Sequence, residues 1–589
     1  MIPNIFGVIA EQWRALLGIL LFIVLCQTLI GLALRRIFGA QLTSTEYLAL
    51  GMSGWILPAA LVSLLWFLFG SKPLTPFSLF LLISLFSISI FFLQRFKTNP
   101  EPDSRSTGIF LLLFFSVSVL LRLAFVSKAI LPSYFDSAQH YLFIKNILGN
   151  TTGIIASLTT NYYHLGFHII AAFMAAAFEA GIARTMLILG QMVLAVIPIS
   201  IFFLIKYETR SNLAGIFAVS LAAFGWYMPA HAMDWGKYPA LMSVGLLPFV
   251  LSLAYLLSQN KNTLSPQKRW ALSLILGAGV LVSGIMHSRS LVIIGIACLA
   301  WVISAWQKKL PQVQQLLIFF LLIVAVVLEI IFVQRYDVLL LLLDPYIHKG
   351  VLVTALVLLL SIFAYRQYPQ FTFACILAIG LLMGSLFIPV LGLIPGHDNL
   401  TLLDRPYVEM ILFLPLALLG GLGLAGVEKS FQHYPKLATL VGLSACGLVL
   451  INASVTYDLY PSDCCVLAGH DDIAAIDWMN AQLPADVRIG ISATELKVLA
   501  SGVFEGYVGG DAGIWITPLI DRVTVPLRYD TNFNEQATLD YLCQQGISHL
   551  YVGELGQNFN DSQLSAQPAW YKALLSMPVV KVYEVVGCR

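Results

Sequence analysis

The chain has 589 residues, of which 59% are hydrophobic and 11% are charged, and its mean hydropathy is +0.84. Soluble domains carry roughly 25% charged residues, so this sequence lacks the polar material to cover a water-facing surface. The composition excludes a soluble globular protein, a disordered chain and a small secreted domain held by disulfides. A formal net charge of +2 gives no overall field that would attract nucleic acid. The sequence therefore predicts a polytopic membrane protein.

Fourteen apolar segments are long enough to cross a bilayer, because a transmembrane helix needs about 20 mainly apolar residues. The first follows Arg14 without a cleavage site for a signal peptidase, so we expect it to be retained. A further apolar stretch, 160–181, contains His164, His168 and Glu179 and suits an interfacial helix better than a lipid-exposed span. The predicted spans are 16–34, 46–69, 76–94, 108–127, 185–205, 213–231, 239–258, 270–286, 290–306, 315–333, 350–365, 371–392, 407–426 and 436–454.

The distribution of Lys and Arg predicts the orientation. With fourteen spans, one set of alternating loops carries about twice as many basic residues as the other set, and the positive-inside rule places the richer set in the cytoplasm. Counting 160–181 as a span would reverse every later loop and break this pattern. We therefore expect both termini and the long loop 128–184 to be exoplasmic, in a plasma membrane or a bacterial inner membrane.

The chain changes character from about residue 460, where apolar runs shorten and acidic and amide residues return. Short strand-like runs alternate with helical patterns, which predicts a small exoplasmic α/β domain over 460–589. Four cysteines lie here. In an oxidising compartment they would form two disulfides, one of them joining Cys464 or Cys465 to Cys588. A reduced set that includes Cys543 is equally consistent with the sequence.

The loop after the fourth predicted span reads LPSYFDSAQHY and carries Asp136. As an N-cap residue, Asp136 would begin an amphipathic helix over the residues that follow it. As a carboxylate held at the membrane edge, it would serve as a general base or a metal ligand. The sequence leaves both interpretations open.

Two short outer loops, MDWGKYP and MHSRS, carry further ionisable residues. Trp235 in the first loop is typical of an interfacial anchor, but that interpretation does not explain Asp234 or Lys237. In the second loop, Arg289 either extends to the lipid headgroups or joins His287 in binding an anion.

The loop before the thirteenth predicted span is also rich in charge, with Asp404, Arg405 and Glu409 close together. A guanidinium at this helix start can bind a phosphate in a two-pronged geometry that lysine cannot reproduce. The alternative is a solvated loop with a local Asp404–Arg405 ion pair. Arg122, near the outer end of the fourth span, either pairs with an outer acid such as Asp136 or extends to the headgroups.

These residues together resemble the GT-C superfamily of integral-membrane glycosyltransferases, which includes protein O-mannosyltransferases and the catalytic subunit of oligosaccharyltransferase. The segments FDSAQHY and NYYHLGFH, with Asp136, resemble the family's first large outer loop, and MDWGKYP, with Asp234, resembles the next one. The late outer loop with Arg405 resembles the place where the family holds the donor phosphate. The resemblance covers 108–455, so that 1–107 is an addition of three spans and 460–589 a terminal domain.

The resemblance implies transfer of a sugar from a polyprenyl-phosphate donor in the membrane lipid to a glycan, lipid or protein acceptor. Asp136 would be the general base of an inverting displacement, and Asp234 would orient the acceptor. A divalent cation, Mg or Mn, is a possible cofactor, with Asp136 and Asp234 as ligands. Trp515 and Tyr507 of the terminal domain would present the acceptor. The implied phosphate-binding residues are Arg405, His287, Arg289 and Lys237, and the implied acceptor pocket contains His140, Tyr141, His164, His168, Trp235 and Asp404.

Two other classes of protein compete with this interpretation. A transporter or lipid flippase would often carry inverted repeats and ionisable residues near the bilayer midplane, whereas this chain shows no repeat and collects its ionisable residues at one interface. A membrane anchor that displays the terminal domain would not need fourteen spans. No nucleic-acid partner is expected.

Overall fold

Long apolar helices dominate the computed structural model, which describes residues 2–69, 105–149, 164–390, 401–497 and 504–588. Within these residues, eleven helices are long and apolar enough to cross a membrane, and three shorter apolar helices accompany them. The protein is therefore a multi-pass membrane protein. Its helices before the terminal domain are α1 (Ile2–Phe38), α2 (Ser44–Gly54), α3 (Ile56–Phe69), α4 (Arg105–Lys128), α5 (Phe135–Gly149), α6 (Gly166–Ala177), α7 (Ile182–Thr209), α8 (Asn212–Phe224), α9 (Tyr238–Gln259), α10 (Pro266–Met286), α11 (Arg289–Gln307), α12 (Gln312–Val333), α13 (Asp337–Ile347), α14 (Val351–Gln367), α15 (Pro369–Gly384), α16 (Arg405–Ile411), α17 (Phe413–Ser430) and α18 (Pro435–Thr456).

Most predicted spans coincide with one of these helices, and the predicted span 76–94 lies outside the described residues. The prediction for 213–231 is wrong in its second half. Helix α8 has 13 residues and ends at Phe224, so it is about 20 Å long, less than the roughly 30 Å of a hydrocarbon core. Pro229 follows, which cannot donate a backbone hydrogen bond, and the chain forms a polar loop instead.

The segment predicted as an interfacial helix, 160–181, contains α6. This helix has 12 residues, too few to span a bilayer, which agrees with its exclusion from the predicted spans. Its residues from Gly166 to Ala175 are all buried, because α3, α5, α7 and α9 pack around it. It therefore lies inside the bundle rather than on its surface.

Small residues decide which apolar helices lie at the centre of the bundle. The most apolar stretch of α7 is fully buried and that of α16 with α17 is 94% buried, whereas that of α12, which is more apolar than either, is 6% buried. Helix α17 contains LLGGLGLAG, and a Cβ atom on Gly423 or Gly426 would lie within 2.6 Å of the carbonyl oxygens of Leu360 and Phe363 in α14. Glycines let the two backbones approach closely, which is how helices associate in a membrane.

The terminal domain is a mixed sheet flanked by helices. Strand β1 runs parallel to β3 and β4 and antiparallel to β2, and the sheet order is β2-β1-β4-β6-β5. Strand β3 pairs with the first part of β1, and β2 pairs with the part from Ala493 onward. A small α/β domain is thus present, as predicted. Its elements are α19 (His470–Gln482), β1 (Arg488–Lys497), β2 (Phe504–Gly509), α20 (Ile516–Ile520), β3 (Val523–Arg528), α21 (Gln536–Gln544), β4 (His549–Val552), α22 (Asp561–Ala566), β5 (Tyr571–Ser576) and β6 (Lys581–Val585).

The disulfides differ from the predicted pairing. Cys543 is joined to Cys588, and Cys464 is joined to its neighbour Cys465. A bridge from Cys464 or Cys465 to Cys588 does not form, because the chain after β6 runs beside α21. A Cβ atom on Gly587 there would lie 2.9 Å from the side chain of Leu539.

Three contacts join the terminal domain and its linker to one end of the bundle, which we call the domain end. The amide of Tyr134 donates to the carbonyl of Cys465 at 2.8 Å. Lys145 in α5 binds the carboxylate of Asp521 at 2.8 Å. The ring of Trp515 packs edge-on against Tyr141, with 5.8 Å between ring centroids. The domain is therefore docked on the bundle rather than suspended from it.

Candidate functional site

The predicted base, Asp136, lies in the first turn of α5 at the domain end. Its carboxylate accepts a hydrogen bond from the ammonium of Lys237 at 2.5 Å, and both side chains remain partly exposed. Gly236 makes this contact possible, with a φ of +63° that favours glycine. A Cβ atom there would collide with Ser137 Oγ and lie 3.0 Å from the carbonyl oxygen of Ser133.

A second ion pair joins the next two loops. The guanidinium of Arg289, at the start of α11, donates to Asp404 at 2.5 Å. Asp404 is also the N-cap of α16, where its other oxygen accepts from the amide of Tyr407 at 3.2 Å. The N-cap interaction fixes the carboxylate, so Arg289 is held beside the start of α16.

Arg405 is the first residue of α16 and is buried. Its Nε donates to Glu409 at 3.2 Å, one turn further along the helix, and its guanidinium lies 5.6 Å from the centre of the Trp235 ring. Among the described residues, no acceptor forms a hydrogen bond with either Nη atom. These two nitrogens are the donors that remain for a ligand.

The ionised groups influence one another, which indicates one cluster. Burial alone would lower the pKa of Lys237, but the carboxylates of Asp136 and, further away, Asp404 outweigh it and raise the pKa above its ordinary value. Burial also raises the pKa of Tyr134, whose charged neighbours include Lys237, Asp136 and Arg405. We call Asp136, Lys237, Arg289, Asp404 and Arg405 the domain-end cluster.

Histidines line the cluster as two contacting pairs. His140 Nδ1 and His168 Nε2 are 3.0 Å apart, and the ring of His164 stacks on that of His287 with 4.6 Å between centroids. His164 Nε2 also contacts Ser288 Oγ at 2.8 Å. All four are therefore close to the cluster, as the predicted pocket requires.

Burial keeps three of these histidines uncharged at neutral pH. It lowers the pKa of His140 to about 3, that of His164 to about 4, and that of His287 well below its ordinary value. His287 was predicted to bind the donor phosphate. As a neutral ring it offers at most one N–H donor and no positive charge, so the arginines and Lys237 supply the charge of the cluster.

Asp234 makes contacts that the sequence did not predict. It is 5% exposed, one oxygen accepts from His231 Nδ1 at 2.9 Å, and the other accepts from the amide of Ser462 at 2.7 Å. Asp234 therefore anchors the linker to the terminal domain. With both of its oxygens engaged and Asp136 bound to Lys237, the two carboxylates do not fit a shared divalent cation. Among the described residues, no group of three His, Cys, Asp or Glu is arranged to hold a metal.

The aromatic residues of the predicted site differ in their surroundings. Tyr141 and Trp515 pack against each other, and Trp515 is 1% exposed, so it docks the domain and does not present an acceptor. Trp235 faces the cluster through Arg405. Tyr507, in β2, is 42% exposed, and its predicted contact with an acceptor stays a prediction.

An apolar cavity that no sequence pattern predicted begins one turn after Arg289 on α11 and extends toward the far ends of α7 and α9, at Leu204 and Tyr255. It has a volume of about 240 Å³ and is enclosed by α7, α9, α11, α15, α16 and α17. Its lip includes Cys298 and Val302, which are exposed on the membrane-facing surface of the bundle. Its lining residues could not be predicted from the sequence, because they do not differ in type from the other apolar residues of these helices. Its lining includes Ile293, Ala297, Trp301, Ile411, Leu414 and Leu418.

Fold and site together define a multi-pass membrane protein with a charged cluster above an apolar cavity and a docked α/β domain. A family model described as a family of unknown function (DUF6541) matches residues 12–386, more than half of the chain. The chain belongs to this family. The matched region contains Asp136, Lys237 and Arg289, whereas Arg405 and the terminal domain follow it. A search among curated proteins found none that matches the chain.

Proposed function

We propose that the protein is a membrane glycosyltransferase of the GT-C kind, which moves a sugar from a polyprenyl-phosphate donor to an acceptor at the exoplasmic face. The observation that carries the proposal is the position of two arginines above the apolar cavity. Arg289 begins α11 and Arg405 begins α16, and the following turns of the same helices line the cavity.

This arrangement complements an amphiphile with an anionic head. Trp301, twelve residues after Arg289, lies about 18 Å further along α11 at 1.5 Å per residue. An apolar chain that enters past Cys298 would therefore lie along the helix while its phosphate reaches the arginines. Arginine is the side chain best suited to bind phosphate, because its N–H groups form parallel hydrogen bonds to two oxygens.

The cluster provides the groups that a single displacement needs. Asp136 takes the proton of the acceptor hydroxyl as that oxygen bonds to the anomeric carbon, and the bond from this carbon to the phosphate oxygen breaks. The polyprenyl phosphate leaves with the bonding electrons, and Arg289 and Arg405 stabilise its growing negative charge. Lys237 holds the Asp136 carboxylate in place at 2.5 Å. The sugar emerges with inverted configuration, since it is attacked once, from the face opposite the phosphate.

The competing proposal is a lipid flippase, because a cavity that opens toward lipid would also serve lipid movement. A flippase needs the charged head to cross the bilayer. Charged groups lie toward both ends of the cavity, with Arg289 and Arg405 at the domain end and Glu208, which accepts a hydrogen bond from the cavity-lining Tyr255, toward the other. The lipid-movement assay described below therefore separates the two functions.

Asp136→Asn provides the test. Purified full-length protein in liposomes is given a panel of radiolabelled polyprenyl-phosphate sugars and candidate acceptors, with and without EDTA. Loss of a general base lowers the rate by about 10²–10⁴-fold, and the variant should lose transfer to that extent while keeping its Tm.

Asp521→Asn is the matched control. This carboxylate also pairs with a lysine at the domain end, Lys145, but lies outside the cluster. It should change transfer by less than about twofold, as expected for an exposed pair. Full activity in Asp136→Asn would refute the base assignment. Movement of labelled lipid between leaflets without transfer from any donor would favour the flippase.

A further inference from the structure

A second and smaller cavity lies between the bundle and the linker that leads to the terminal domain. Its volume is about 20 Å³, and its walls come from α4, α7, the loop after α8 and the residues after α18. A space of this size holds about one water molecule or a monatomic ion. The lining residues that matter are Arg122, Gln191, Tyr227, His231, Tyr457 and Asp458.

Arg122 carries a buried charge without a carboxylate partner. The residue is 7% exposed, its Nε is buried without a hydrogen-bond partner, and within the described part of the chain no carboxylate forms an ion pair with its guanidinium. Its recorded contact is with the ring of Tyr457, 5.9 Å from the ring centre. A buried, unpaired cation at membrane depth is costly, so a charge of this kind indicates a site for a counter-ion.

Two further donors beside Arg122 are unsatisfied. Gln191 is 3% exposed, and its Nε2 has no acceptor among the described residues. The hydroxyl of Tyr457 is likewise buried without a partner in the described part of the chain. The three side chains come from α4, α7 and the linker and line the same small cavity. A single anion accepts hydrogen bonds from all three at once.

The nearby acids do not serve as the missing counter-ion. Both oxygens of Asp234 are engaged, by His231 and by the amide of Ser462. Asp458 belongs to the exposed linker, and its Oδ1 accepts from the amide of Tyr460 at 3.1 Å. Two further ionisable groups lie near Tyr227: Lys349, whose ammonium is 4.3 Å from the ring centre, and Glu409, which is already bound by Arg405. Lys349 has no carboxylate partner among the described residues, so its positive charge also favours an anion.

We propose that a chloride ion binds between Arg122, Gln191 and Tyr457 and fastens the linker of the terminal domain to the bundle. The ion neutralises the buried guanidinium and accepts its hydrogen bonds together with those of the amide and the hydroxyl. The size of the cavity favours a monatomic anion over phosphate or a carboxylate ligand. This inference does not rest on the proposed glycosyl transfer.

A thermal-shift titration of the purified full-length protein tests the proposal. Chloride is raised against gluconate at constant ionic strength, with unfolding followed by tryptophan fluorescence. An anion that binds the folded state should raise Tm by about 1–3 °C in a saturable way, and bromide should replace chloride. Tyr457→Phe, which keeps the ring, should weaken the chloride affinity several-fold, and Arg122→Gln should abolish the chloride dependence.

Arg184→Gln is the matched control for loss of a partly buried arginine at the same end. Arg184 donates to the carbonyls of Val126 and Ala129 and should leave the chloride dependence intact. Asp458→Asn should tighten chloride binding, because it removes a neighbouring negative charge. The proposal is overturned if chloride shifts the Tm of wild type and Arg122→Gln equally. It is also overturned if only Asp458→Asn responds, since Asp458 would then be the natural counter-ion.

Discussion

The buried ion pair at the start of α16 supports a prediction that does not depend on any activity. Arg405 and Glu409 are 8% and 3% exposed, and 3.2 Å separates Nε from Oε2. Removing one partner of such a pair leaves the other charge in an apolar environment. Arg405→Met should strand Glu409, and Glu409→Leu should strand Arg405.

The expected magnitude follows from this burial. Breaking a buried pair by removal of one partner costs up to about 3–5 kcal/mol of unfolding free energy. We expect the full cost for Glu409→Leu, because the guanidinium of Arg405 stays charged, and a smaller cost for Arg405→Met, because the Glu409 carboxyl can take up a proton. Replacing both partners by apolar side chains of similar size removes both charges and is often close to neutral. The double variant Arg405→Met/Glu409→Leu should therefore be more stable than either single variant, with a coupling energy of at least about 2 kcal/mol.

The measurement is a double-mutant cycle of unfolding free energies in mixed micelles, with the protein otherwise intact. Independent sites add within about 0.3–0.5 kcal/mol, so coupling above that range identifies the interaction. If the changes in unfolding free energy of the two single variants add to that of the double variant within this error, Arg405 and Glu409 do not compensate each other. Arg405 would then be held by Trp235 and the helix start alone.

Four further outcomes are expected. Arg289→Gln should raise the KM for the lipid donor about tenfold with little change in kcat, because Arg289 contacts the donor phosphate already in the ground state. An unchanged KM in steady-state kinetics would argue against that contact. Trp515→Ala should destabilise the docked domain by about 3–5 kcal/mol in thermal unfolding, whereas a cost below about 1 kcal/mol would mean that the domain does not depend on this side chain. Cys543→Ser should cost about 4 kcal/mol, because the disulfide joins cysteines 45 positions apart in the sequence. Cys464→Ser should cost much less, because its disulfide joins adjacent residues, and equal losses in the same assay would contradict the chain-entropy argument. Burial raises the pKa of Asp511 well above its ordinary value, so the folded domain holds this proton to higher pH than the unfolded chain does. The stability of the domain should therefore fall as pH rises from about 4. Asp511→Asn should reduce this fall in Tm with pH, and an unchanged slope would refute the assignment.

The helices could be predicted well from the sequence because a transmembrane helix requires a long run of apolar residues, and such runs are visible in the sequence. A run of twenty apolar residues has few alternatives, and the eleven long helices follow from that rule. The exception at 213–231 illustrates its weakness. Hydropathy there continues past Phe224, but Pro229 and the packing of the loop around His231 end the helix early.

The candidate site could be predicted only at the level of position. Loop topology and charge correctly brought Asp136 and Arg405 to one end of the bundle. Which acid pairs with which base was beyond the sequence, since Lys237 was predicted to bind phosphate but lies against Asp136. Asp234 was expected to orient the acceptor. Its carboxylate instead accepts hydrogen bonds from His231 and from the amide of Ser462, and the second of these is distant in the sequence and close only in the fold.

The hydrogen bonds from the linker to the two outer loops have a consequence for how the protein can be dissected. Tyr134 and Asp234 lie two and three residues from Asp136 and Lys237, and each is held by the stretch between 462 and 465. A truncation before residue 460 would therefore release the same loops that shape the charged cluster. A change that unfolds the terminal domain should therefore also disturb the domain-end cluster. The terminal domain and the cluster should lose their structure together.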